Sequence, residues 1–324
     1  MKINKRKAII IIGILCIIFI VQKLVIVIND NQKKAERIEY LETFQQYGKG
    51  IVLGLSNTEE ESIDGFITLN SFSDTLEVEF GNMAENKTEY VLKILWDYKE
   101  IEFQVENGQP CTEYYFEADA REGMIFPINL CDIKEDKCAH ILTLSIFKRP
   151  NEHAVDLQFM SNWYGASIDY EIVLEEGERS FENEAEVIDA EEYVPTTCQG
   201  IVLNTDFDIT DDKKEEINLP DYSVVVKAGE TVKIAYRVGN YEDTDNVGLI
   251  LLTGWKQQEC NNTGFLRIKN KEGYLGYGTM EFTAPKEAGK YEMVGILVRY
   301  PYQNKDRETY ISNSTSYRFS LIVE

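Results

Sequence analysis

From residue 50 onward, apolar and polar residues alternate in short runs, the period of a strand with one buried face. Leu76, Val78 and Phe80 alternate with Glu77 and Glu79. Ile101, Phe103 and Val105 repeat the pattern, as do Leu142, Leu144 and Ile146, then Ile168, Tyr170, Ile172 and Leu174. Tyr90 to Trp96 is different, with Leu92, Ile94 and Trp96 on one face and Val91 and Leu95 on the other. Turn clusters such as Gly81-Asn82, Glu106-Asn107-Gly108 and Arg149-Pro150-Asn151 separate the runs. Many short strands without helical periodicity between them predict an antiparallel β-sandwich over 48–174. The last third repeats the texture, from Val232, Ile234, Tyr236 and Val238 to Tyr317–Val323, and predicts a second sandwich over 198–324. Between them, 175–197 carries Glu175, Glu176, Glu178, Glu182, Glu184, Glu186, Asp189, Glu191 and Glu192. Self-repulsion predicts an extended acidic linker there.

The N-terminal region has another rhythm. A basic head, 1–7, with Lys2, Lys5, Arg6 and Lys7, precedes an apolar stretch over 8–28. A helix of that length is about 31 Å long, the thickness of a bilayer core. Lys23 lies near its outer end, from where it can snorkel to the headgroups. No small-x-small cleavage site follows, and Cys16 lacks the small preceding residue of a lipidation site. The pattern predicts a retained transmembrane helix, then a helical stalk over 29–47 with Ile38, Leu41 and Phe44 at helical intervals. The short basic head places the N-terminus in the cytoplasm and the rest outside it.

The fold class expected is therefore mainly β: a transmembrane helix and stalk, then two antiparallel sandwiches. Glu287-Ala288-Gly289-Lys290-Tyr291 resembles the turn that enters strand F of immunoglobulin-like domains, where the tyrosine hydroxyl bonds back to the main chain. Met293 stands where antibody domains have cysteine, and the partner position near Ile234 or Ala235 lacks one too. The resemblance covers about 220–324 and implies a fold; in bacterial envelope proteins such domains are binding or spacing modules. Gly50-Ile51-Val52-Leu53 recurs as Gly200-Ile201-Val202-Leu203, and Gly81-Asn82 as Gly239-Asn240, which points to a duplicated sandwich.

Charge and chemistry narrow the function. With 56 acidic against 33 basic residues, a net charge of -23 disfavours nucleic acid as a partner. His140 and His153 are the only histidines, and no nucleophile elbow, phosphate loop or zinc-protease motif accompanies them, so no metal, cofactor or catalytic residue is assigned. Cys131 with Cys138 and Cys198 with Cys260 are disulfide candidates. Aromatic loop residues are the candidate contacts: Tyr300, Tyr302 and Tyr310 in the loop between strands F and G, and Trp163 and Tyr164 in the first sandwich. These features predict a single-pass, extracytoplasmic binding or interaction module whose partner is an envelope protein or glycan. The alternatives are an envelope hydrolase with an Asp/Glu pair and a structural subunit of an envelope complex.

Overall fold

The computed structural model describes residues 27, 31–41, 50–57, 65–153, 165–181, 185–204, 223–302 and 311–324. The expected transmembrane run, apart from Val27, lies outside these residues. Among the described residues no helix is long and apolar enough to cross a membrane.

The first half contributes ten strands: Ile51–Asn57 (β1), Phe66–Leu69 (β2), Leu76–Asn82 (β3), Thr88–Trp96 (β4), Lys99–Glu100 (β5), Phe103–Val105 (β6), Tyr114–Ala118 (β7), Gly123–Leu130 (β8), His140–Lys148 (β9) and Gly165–Leu174 (β10). Val187–Ile188 (β11) and Glu192–Pro195 (β12) follow. The second half adds Gly200–Asn204 (β13), Ser223–Val226 (β14), Thr231–Gly239 (β15), Asn246–Thr253 (β16), Lys256–Gln257 (β17), Leu266–Lys269 (β18), Tyr274–Thr283 (β19), Gly289–Val298 (β20), Ile311–Thr315 (β21) and Phe319–Val323 (β22).

The two halves follow one plan. Outer sheets run β1-β3-β8-β6 and β13-β15-β19-β12. Inner sheets run β2-β10-β9-β4-β7 and β14-β22-β20-β16-β18, with β2 and β14 parallel to their neighbours. Registers place Trp96 and Thr253 at equivalent positions, opposite Leu142 and Met293 respectively. The halves share this order of strands, but the two sequence echoes are not in the same register: Gly200 pairs with Gly239, whereas Gly81 pairs with Val52. Asn82 and Asn240, from the second echo, both bury their amides against main-chain carbonyls, Asn82 on Asp119 at 2.7 Å and Asn240 on Cys198 at 2.8 Å.

Each half fills its own core between outer and inner sheet, around Phe80, Leu92 and Leu144 in the first and Ile234, Leu251 and Leu297 in the second. A third core explains the two-faced runs. Val91, Leu95 and Phe147 of one inner sheet meet Ile250, Leu252, Val294 and Ile296 of the other. A strand between two cores needs apolar side chains on both faces, so β4 and β20 lose the alternation of the outer strands. The inner sheets are also joined by hydrogen bonds, because β21 pairs with β10 at Ser167↔Asn313 and with β20 at Ile296↔Thr315. The molecule is a four-layered stack closed along one edge.

Two expectations change. Residues 31–41 are helical (α1), but the helix does not stand free as a stalk: Arg37 donates to Glu77 and to Ser56, both at 2.6 Å, and contacts Glu79. Leu41 is buried. The acidic segment 175–197 is not only a spacer, because β11 pairs with β18 and β12 with β19. Main-chain hydrogen bonding and burial of Val194 outweigh charge repulsion there.

Candidate functional site

The equivalent turns of the two halves meet at the joint. Asp97-Tyr98 and Gly254-Trp255 have positive φ, the geometry of a two-residue hairpin turn, which points Tyr98 and Trp255 into the third core. The strands that follow bind reciprocally: the Glu100 amide donates to the Gln257 side chain at 2.7 Å, and the Gln257 amide to the Glu100 carboxylate at 3.3 Å. Tyr98 stacks on Phe265, and Trp255 lies against Phe147 and donates to the Pro150 carbonyl at 3.2 Å.

Buried charge completes the joint. Arg318, fully buried, donates to Glu292 at 3.3 Å, to the carbonyls of Lys148 and Glu152 at 2.6 and 3.0 Å, and lies over Trp255. Burial pulls its guanidinium down to about 10, against the pull of Glu292. Glu292 also accepts from Ser320 at 2.6 Å and faces His153 Nδ1 at 2.9 Å. The loop after β9 is thereby pinned to the second sandwich. The equivalent position to Arg318 holds Asp169, buried, which accepts from Thr143 and Asn313 at 2.7 Å each.

His140 is set differently from His153. Its Nδ1 lies 2.7 Å from Asp97 Oδ2 and its Nε2 3.0 Å from Asp136 Oδ1. An imidazole donates from both nitrogens only when protonated. Burial opposes that charge, the two carboxylates favour it, and the balance raises the pKa above its ordinary value. By register His140 is equivalent to Tyr291, whose hydroxyl donates to the Glu287 carbonyl at 2.9 Å. The tyrosine corner expected at Tyr291 is present, and its counterpart in the first half is an ion pair. Asp136 also lines an open surface hollow of about 440 Å³ with Asn70, Glu135, Glu175 and Glu176.

The candidate contacts separate. Tyr300 lies at the surface, its hydroxyl 3.4 Å from the Glu242 carbonyl, beside Arg299, which stacks over Tyr241. Tyr302 is only 9 % exposed and belongs to the joint: it contacts Tyr98 and donates to the Asp97 carbonyl at 3.3 Å. Trp163, Tyr164 and Tyr310 lie outside the described residues. No disulfide is recorded among the described cysteines. Cys260 sits in the second core while Cys198 packs with Val202, Ala235 and Tyr277 on the far face of the outer sheet, so the strands separate that pair. Cys131 and Cys138 flank the loop that carries Asp136. Among the described residues no group of three or more His, Cys, Asp or Glu side chains is placed to hold a metal ion.

No family model matches the chain, and no curated protein matches it. Among solved structures it is similar to the E. coli chaperone DraB, at 12% identity over 85% of this chain and 97% of that one, with a TM-score of 0.29. The YadV chaperone matches at 9% over 82% and 98%, with a TM-score of 0.25. The C-terminal domain of the Streptococcus agalactiae AgI/II polypeptide BspA matches at 10% over 84% and 100%, with a TM-score of 0.23. Likenesses of this size carry no conclusion about fold or activity.

Proposed function

We propose that this chain is a non-catalytic binding or interaction module, tethered to a membrane through 8–28 with its sandwiches outside the cytoplasm. The observation that carries the reading is the joint. A continuous sheet through β21, a third apolar core and the Arg318–Glu292 pair make two sandwiches into one platform that presents loops and strand edges in fixed relation. Both histidines face carboxylates within that framework, where they serve structure. The partner class is an envelope protein or glycan, and the surface of Arg299 and Tyr300, backed by the buried Tyr241, is one place for it, since tyrosine offers wide contact area at small entropic cost.

The test is a photo-crosslinking residue at Tyr300 in the full chain in its own membrane, with protease added outside. The reading requires a discrete crosslinked product and digestion of the sandwiches from the outer side. Protection of the sandwiches until the membrane is opened would overturn the location, and absence of any crosslink from every exposed position would overturn the binding role.

A further inference from the structure

Among the described residues, the sheet order that the halves share leaves one edge filled in one half and open in the other. In the second half, the outer edge of β18 is covered by β11, which runs parallel with Val187↔Arg267 and Ile188↔Ile268. Charge matches across that seam: Arg267 donates to the Ala185 carbonyl at 2.9 Å, and Lys269 pairs with Asp189 at 3.5 Å. A basic strand thus takes the acidic segment Glu186-Val187-Ile188-Asp189.

The equivalent strand of the first half is β7. Registers Val91↔Tyr115 and Gly248↔Arg267 make Tyr115 the counterpart of Arg267 and Glu117 that of Lys269. Among the described residues β7 pairs only with β4, and Tyr115 is 46% exposed. The charge is reversed: Glu113 and Glu117 flank Tyr115, Glu89 stands across from Glu117, and Lys87 pairs with Glu117. An open edge supplies main-chain hydrogen bonds to an added strand, and the flanking side chains choose which strand.

We propose that the β7 edge is a docking site for an extended, basic segment of a partner protein, added parallel to β7. It carries β-branched residues opposite Tyr115 and Phe116 and a Lys or Arg opposite Glu117, the inverse of the chain's own β11. This rests on the reading of the protein as a binding module and names a surface and a partner chemistry for it. The incoming cation displaces Lys87 from Glu117.

The probe is a labelled twelve-residue peptide centred on Lys-Val-Ile-Lys, compared with the same peptide centred on Glu-Val-Ile-Asp, on the full chain in detergent micelles by fluorescence anisotropy. The basic peptide is expected to bind about three- to tenfold more tightly at low salt, with the preference shrinking at 1 M salt. Backbone hydrogen exchange at 114–118 should slow on binding. Glu117→Lys is expected to invert the preference, with an unchanged circular dichroism spectrum showing that the variant is folded. Equal binding of both peptides, binding of neither, or an unmoved preference in Glu117→Lys would each overturn the proposal. So would a dimer of the chain that Glu117→Lys dissolves, which would identify a second copy as the occupant. If Glu117→Lys leaves Tyr300 crosslinking intact while neither peptide binds, this edge fails and the binding-module reading stands.

Discussion

His140 turns a structural corner into a titrating one. Its pKa is raised in the folded chain above about 6.5, so its contribution is full below that value and is lost as pH rises through the folded value. The urea midpoint should therefore fall as pH rises from 6 through the folded-state pKa, and His140→Gln should flatten that slope. A midpoint that climbs over the interval would refute the assignment. His140→Tyr should supply the hydroxyl corner that Tyr291 uses and remove the dependence. Burial pushes the Cys260 thiol up to about 12, so at neutral pH iodoacetamide should label it only after unfolding. Mass spectrometry of the native chain showing prompt alkylation there would contradict its place in the core. Of these residues, Tyr291 was legible because a corner is a local turn whose donor and acceptor lie four residues apart. His140 was not: Asp136 lies four residues before it, but no turn motif marks that pair, and its other partner Asp97 is 43 positions away and joins it only through strand pairing.

At the scale of elements, the buried Arg318–Glu292 pair should matter far more than the exposed Lys269–Asp189 pair. Glu292→Ala leaves a buried guanidinium uncompensated and is expected to cost about 3–5 kcal/mol. Asp189→Ala should cost about 1 kcal/mol or less, both side chains being well solvated. Equilibrium urea unfolding separates the two, and equal losses would mean that the joint is not held as described. Strands with one buried face, such as β3 and β15, were plain in the alternation of Leu76, Val78 and Phe80 and of Val232, Ile234 and Tyr236. The linker strands were not: Val187–Ile188 is too short to show a period, and its neighbours are acids. The helix at 31–41 was visible in its spacing, but its docking rests on Arg37 meeting Glu77 and Glu79 across the fold, which no local pattern announces.

For the whole molecule, the third core and β21 couple the halves. Trp96 lies in the first sandwich and Trp255 in the joint, so fluorescence and circular dichroism should report one coincident urea transition. Ile296→Ala, which opens the third core, should lower stability by about 2–5 kcal/mol and draw the two signals apart. Two separate transitions in the unaltered chain would show that the sandwiches are independent. Two sandwiches were readable from repeated texture, but their fusion was not, because Asn313 meets Ser167 over a sequence distance that periodicity cannot signal.

The path of β21 also sets an order in time. The last strand of the first half to emerge during synthesis is β10, yet the strand that closes its edge begins at Ile311, about 140 residues later. At about 5–20 residues per second, that leaves the edge waiting for roughly seven to thirty seconds. Through that interval β2 is available to Glu171–Leu174, but Ser167–Asp169 of β10 remain an unpaired stretch of edge that a neighbouring chain can seize.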